Sequence, residues 1–140
     1  MLFKFISVGC VGPLRSGMGR EEVREVLGGD FSTFKKTADD ESETEDYSVH
    51  RVHVYYDADD RLEGAEFLRG SEFYFNNIKV VGERYSFLSE LLIKENVVID
   101  VSTSGFKIRE LGLSFYVPDI GDYEVDALIK SVYVDFKSWQ

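Results

Sequence analysis

Cysteine, proline, histidine and tryptophan are scarce in this sequence: one Cys, two Pro, two His and one Trp among 140 residues. The lone Cys10 cannot close an internal disulfide, which fits a chain kept in a reducing, cytoplasmic compartment. His50 and His53 with Cys10 make a poor zinc set, since a site needs about four ligands. Three apart on an expected strand, the two imidazoles would also point to opposite faces. No apolar run approaches the roughly 20 residues that a membrane span requires. Cations are in deficit as well. Sixteen Lys and Arg against 26 Asp and Glu leave a formal net charge of -10, which argues against direct nucleic-acid binding, because phosphate contacts rely on Lys and Arg to release counterions.

What the chain has in quantity is apolar and aromatic side chains, 44% hydrophobic and 14% aromatic, with 11 Phe and 8 Tyr. That content supports one folded domain over residues 1–140, able to bury roughly two thirds of its unfolded surface. It also has one concentrated block of charge. Asp39, Asp40, Glu41, Glu43, Glu45 and Asp46 place six carboxylates in eight residues with no cation among them. Like charges in such density repel one another, so the run is expected to form a solvated loop outside the core and to face a cationic partner.

The first segment, Leu2 to Val8, reads as a strand with Cys10 just beyond its end. Its Val-Gly-Cys ending imitates a lipoprotein cleavage site, but Lys4 interrupts an apolar stretch already too short for a secretion signal. A helix is expected over Arg20 to Leu27. There Val23, Val26 and Leu27 form a stripe, Glu21 and Glu22 occupy the first turn, and Gly28 supplies the left-handed stop. A second helix is expected from Glu83 to Glu95, with Tyr85, Leu88, Leu91 and Leu92 at helical spacing. Val52 to Tyr56 and Arg61 to Leu68 read as an antiparallel hairpin around Asp57-Ala58-Asp59-Asp60, with Gly64 marking a bulge. Further strands are expected at Phe73 to Val80, Val97 to Val101, Leu111 to Val117 and Ile129 to Phe136.

The halves 1–70 and 71–140 follow one order, strand, Gly, helix, short strand and a longer pair, as a β-α-β-β-β duplication would produce. Val8-Gly9 corresponds to Val81-Gly82, and Leu62 to Phe67 corresponds to Ile129 to Val134. The expected class is α+β, a mostly antiparallel sheet with two helices packed on one face.

Gly17-Met18-Gly19-Arg20-Glu21-Glu22-Val23 followed by Leu27-Gly28 resembles the G-M-[ST]-x-x-E-V-x-x-x-L-G signature of small bacterial domains similar to the assembly lipoprotein BamE and the tandem β-lactamase-inhibitor fold. His53-Val54-Tyr55-Tyr56-Asp57 through Leu62 to Phe67 resembles the strand, acidic turn and strand that follow it. Gly19 stands where those domains carry the Ser or Thr cap. The resemblance implies a non-enzymatic protein-binding scaffold, used among others by bacterial immunity proteins, and transfers no functional residue.

Recognised chemistry is sparse. Gly9, Gly12, Gly17 and Gly19 lie between a strand and a helix, but a dinucleotide fingerprint would need glycine at Glu22, and the Lys-Ser or Lys-Thr pair of a P-loop is absent. Asp57, Asp59, Asp60 and Glu63 imitate a calcium loop, yet Arg61 and Leu62 stand at positions that the EF-hand pattern reserves for a ligand and a glycine. No cofactor and no metal is expected, and no catalytic residue is assigned. The function read from the sequence is an acidic binding protein, foremost an immunity protein neutralising a basic, nuclease-like toxin domain. Asp39, Asp40, Glu41, Glu43, Glu45 and Asp46 are the expected partner-binding residues. The other readings are a small hydrolase using paired carboxylates and a structural subunit of a larger assembly.

Overall fold

A computed structural model describes residues 1–35, 37–39 and 42–138. Over these described residues the chain is α+β, with two α-helices and two mostly antiparallel sheets. In the first half β1 (Phe3–Ser7), β2 (Cys10–Val11) and β3 (Leu14–Arg15) precede α1 (Arg20–Leu27). They are followed by β4 (Ser32–Phe34), β5 (Thr44–Tyr47), β6 (Val52–Tyr56) and β7 (Leu62–Phe67). The second half runs β8 (Phe73–Phe75), β9 (Ile78–Lys79), α2 (Tyr85–Lys94), β10 (Asp100–Val101), β11 (Gly105–Ile108), β12 (Leu113–Tyr116) and β13 (Ser131–Asp135).

The larger sheet has the order β10-β11-β12-β13-β7-β6-β5-β4, every neighbour antiparallel. Each half therefore contributes a four-stranded meander, and the meanders meet where β7 pairs with β13. The smaller sheet, β3-β2-β1-β8-β9, joins the halves through parallel pairing of β1 with β8, Phe3 opposite Phe73. Equivalent backbone links tie each helix start to the approach of its last strand. Arg20 N donates to Asp60 O and Leu62 N to Met18 O, while Tyr85 N donates to Ala127 O and Ile129 N to Glu83 O.

Helix α1 spans the expected residues. Val23 and Leu27, one turn apart, are buried, Glu22 accepts from Gly19 N at 3.3 Å, and Gly28 ends the helix at φ 96°. Glu22 supplies the return half of a capping box, while glycine leaves the first-turn N–H groups without a side-chain cap. Helix α2 is shorter than expected, beginning after Arg84, whose backbone is extended.

Alternation along β6 and β7 buries Val52, Val54, Tyr56, Ala65 and Phe67 on the inward face. Phe67 stands 5.0 Å from the ring centres of both Phe3 and Phe73, so the smaller sheet closes over the larger at this point. Each such ring contributes on the order of 1.5–3 kcal/mol by burial. The expected bulge lies beside Gly64: Tyr55 pairs with Gly64 and Tyr56 with Leu62, which leaves Glu63 as the extra residue.

Several expected boundaries are corrected. The strand expected over Phe73 to Val80 is the tight hairpin β8–β9, because Asn76 and Asn77 take positive φ (49° and 63°) and reverse the chain. Cys10 belongs to β2 and does not trail a strand. His50 sits in the turn before β6, where its Nε2 lies 3.0 Å from Leu27 O. Of Val97 to Val101, only Asp100 and Val101 are strand. Where one short strand is expected between the first helix and the hairpin the chain has two, β4 and β5, and β5 passes through the acidic run; β2, β3 and β11 lie outside the expected strands.

Candidate functional site

The six carboxylates of the acidic run have different fates. Asp40 and Glu41 lie outside the described residues. Asp39 and Glu43 are exposed. Asp46 points from β5 to the outward face of the larger sheet, and Glu45, its neighbour in a strand of period two, points inward and is fully buried. The expectation that the whole run stays out of the core is corrected at this residue. Having no exposed surface, Glu45 is not available to contact a partner.

Glu45 enters the interior because its charge is fully matched. Its Oε1 accepts from Tyr47 Oη at 2.9 Å and Tyr56 Oη at 2.7 Å. Its Oε2 accepts from Arg20 Nη1 at 3.1 Å and from Arg24 Nε at 2.9 Å, with Arg24 Nη2 in ion-pair contact at 2.7 Å. Arg20 also grips Asp60 and lies 4.1 Å over the Tyr56 ring, while Arg24 lies 4.7 Å over Phe31. Successive turns of α1 are thus riveted to β5 and β6. Burial alone would raise the Glu45 pKa, but the hydrogen bonds from Tyr56, Arg24 and Tyr47 outweigh it and hold the carboxyl below its ordinary value. A carboxylate so held is a poor proton donor, and its role is to fix α1 to the sheet.

That shift has a consequence for stability. Because the folded pKa is depressed, the contribution of Glu45 is present above the ordinary carboxylate value of 4.5 and is lost as pH falls below it toward the folded value. Denaturation midpoints measured from pH 6 downward should drop through the acid range. In Glu45→Gln that part of the slope should vanish, and an unchanged slope would contradict the assignment.

The outward face of the larger sheet is chemically different from the inward one. Its central positions carry His53, Tyr55, Glu66, Ser131 and Tyr133, most of them half-buried. His53 is bracketed by Asp46 (Nε2 to Oδ1, 3.5 Å) and Glu66 (Nδ1 to Oε1, 3.8 Å) and meets the Phe34 ring edge-on at 5.2 Å. Ser131 Oγ donates to Glu66 Oε2 at 3.1 Å. Tyr55 and Tyr133 lie 6.0 Å apart across β6, β7 and β13, with Gly64 between them. A Cβ on Gly64 would stand 2.0 Å from Tyr133 Oη, so glycine is what lets that ring lie down across the sheet. Burial and the charge of Glu66 raise the Tyr55 phenol to about 12, and burial with Glu63 and Asp135 raises Tyr133 too. Both phenols stay neutral donors at physiological pH.

Beside this pair the sheet opens into a recess of about 510 Å³, lined by Asp39, Glu43, Thr44, Tyr55, Asp57, Glu63, Tyr133 and Lys137 among others. Asp57 Oδ1 accepts from the backbone N–H groups of Asp59 (2.9 Å) and Arg61 (3.0 Å), closing the β6–β7 turn. Those bonds hold its carboxyl below the usual range. The acids read from sequence as a weak calcium imitation therefore serve a hairpin turn. Among the described residues no cluster of three or more His, Cys, Asp or Glu could hold a metal ion.

The chain matches no family model, no curated protein and no solved structure. Function is therefore read from residues and their placement. Sequence reasoning singled out Asp39, Glu43 and Asp46, which the structure sets around the recess and the outward face. It missed Tyr55, Asp57, Glu63, Glu66 and Tyr133 as site residues. Period two in VHVYY places His53 and Tyr55 on one face, and the hairpin pairing of His53 with Glu66 adds Glu66 to it, whereas the approach of Tyr133 depends on the β7–β13 pairing between distant segments. No helix among the described residues is long and apolar enough to cross a membrane.

Proposed function

We propose that this chain is a non-enzymatic, cytoplasmic acidic binding protein whose partner is a basic protein, and specifically an immunity protein that occludes a nuclease-like toxin domain. The observation carrying this reading is the outward face of the eight-stranded sheet. It presents tyrosines at its centre and carboxylates at Asp46, Glu66, Glu63, Asp57 and Asp39 around them. Tyrosines in a partly dry setting act as anchors, and surrounding carboxylates speed encounter with a cationic surface. A general-acid role is disfavoured at the two carboxyls that the fold perturbs. Glu45 and Asp57 both move downward, opposite to what a general acid needs.

The scaffold reading has its own support. We infer an internal duplication in which the two meanders, the two helices and their paired backbone links are equivalent, with both helices on the inward face. Arg20 and Arg24 of α1 reach inward-facing Glu45, and Tyr85 of α2 stands 5.3 Å from inward-facing Phe106. This arrangement agrees with the BamE-like and β-lactamase-inhibitor-like resemblance of residues 17–28 and 52–67, and it leaves the outward face for a partner.

The test is affinity capture from native cells at low salt with wild type and with a variant in which Asp39, Glu43, Asp46 and Glu66 become Asn or Gln. Glu45 is kept because it is structural. The expected result is a basic partner whose association slows with added salt and at least tenfold in the variant, and whose toxicity in cells is relieved by co-expression of the wild type. Equal binding by the variant would refute the proposed surface, and toxicity that persists on co-expression would refute the immunity role. A structural-subunit reading is favoured by one feature, the exposed Phe87 and Ile93 of α2 followed by exposed Val98 and Val101. A stable oligomer on size exclusion would support it.

A further inference from the structure

We propose that the recess between the β6–β7 turn and the outward face is a receptor for a single arginine side chain of the partner. The inference rests on the binding-protein reading above and names the group that the site would take. Three observations converge. Asp57 has a side chain only 9% exposed, with Oδ1 committed to two backbone N–H groups. Asp57 lines the recess, and among the described residues no hydrogen bond reaches its Oδ2. The side chain as a whole is nine-tenths buried, and Oδ2, met only by the long ion pair with Lys137, has room for a closer cationic donor.

The second observation is that the chain's own cation already leans toward that place without closing on it. Lys137 Nζ stands 3.8 Å from Asp57 Oδ2 and 3.8 Å from Glu63 Oε1, beyond hydrogen-bond distance of both, and its side chain is half exposed. The recess thus favours positive charge, and an incoming donor with better reach would displace the lysine at little cost. Third, the wall is aromatic. Tyr55 and Tyr133, both on the outward face and 6.0 Å apart, line the cavity together with Glu63. A planar guanidinium can lie against a tyrosine ring while its N–H fork bonds a carboxylate, which the compact ammonium of lysine cannot do equally well. The volume of about 510 Å³ leaves ample space for one such side chain. Glu43 and Asp39 at the rim would draw it in.

The experiment uses the full chain, labelled for NMR and titrated with N-acetyl-arginine methylamide, with the lysine and citrulline analogues as controls. Saturable shifts confined to residues 55–63, Tyr133 and Lys137 are expected with arginine, weaker ones with lysine and none with neutral citrulline. Lys137→Ala should tighten arginine binding, and Glu63→Gln should weaken it by up to about fivefold, the scale of one partly exposed ion pair. Both side chains are exposed at the rim and neither supports the core, so both variants should fold. Non-saturating shifts spread over all acidic residues, or equal shifts with citrulline, would overturn the proposal. So would tightening by lysine and arginine alike in Lys137→Ala. Should the arginine probe fail while the basic partner is still captured through Asp46 and Glu66, only the recess is refuted and the binding-protein reading stands.

Discussion

Glu45→Ala is expected to lower the stability of the fold by about 3–5 kcal/mol, the cost of removing one partner from a buried, hydrogen-bonded charge network. The side chain has no exposed surface, accepts four hydrogen bonds and makes a further close ion-pair contact with Arg24. Its removal strands Tyr47 and Tyr56 hydroxyls in an apolar interior, where an unpaired polar group costs about 1–3 kcal/mol each. It also leaves Arg20 and Arg24 without their common anion. These guanidiniums, 16% and 30% exposed, regain part of their hydration, which keeps the loss from being larger. Against a total stability on the order of 5–15 kcal/mol, the variant should be close to unfolding at physiological temperature. Urea denaturation at pH 7 measures the loss. Glu45→Gln, which retains acceptor oxygen for the tyrosines, should lose less. A fall below about 1 kcal/mol in Glu45→Ala would mean that α1 is held to the sheet by apolar contacts alone.

The second large effect concerns the partner. Tyr133→Ala should weaken association with the basic partner by about 2 kcal/mol or more, some thirtyfold in Kd, as truncating a central aromatic anchor does. The ring projects from the middle of the outward face and rests over Gly64, opposite to the buried Val132 and Val134 of the same strand. Stability should therefore change far less than affinity. Lys94→Ala, an exposed position on α2, whose Tyr85 packs against inward-facing Phe106, serves as control and should be nearly neutral. Calorimetric titration of the captured partner gives both numbers. Equal affinity of wild type and Tyr133→Ala would place the interface elsewhere on the molecule.

The two expectations illustrate how unevenly the site was legible. Acidic character was visible at once, and Asp39, Glu43 and Asp46 do border the outward face. Glu45 was assigned with them because its neighbours share its charge. It differs from Asp46 only in the parity of a strand position, and that strand was hidden by the charge of the very residues forming it. β5 is recognisable only when β4 and β6 flank it. Similarly, the pair Asn76-Asn77 carried a hairpin signal that a run of apolar residues on both sides obscured. The α1 stripe and the β6–β7 hairpin were legible because both rest on contacts within a few residues.

From the order of residues alone came the α+β class, the first helix to the residue, the central hairpin with its bulge and the surplus of negative charge. All of these follow from short-range periodicity, turn chemistry and counting. Tertiary structure decided which carboxylate is a buried rivet and which are free to meet a partner, and it brought Tyr133 beside Tyr55 and Lys137 beside Asp57. Those outcomes depend on strand pairing between segments far apart in the chain. Pairing sets the face on which each side chain emerges and hence whether its charge is met by protein or by water.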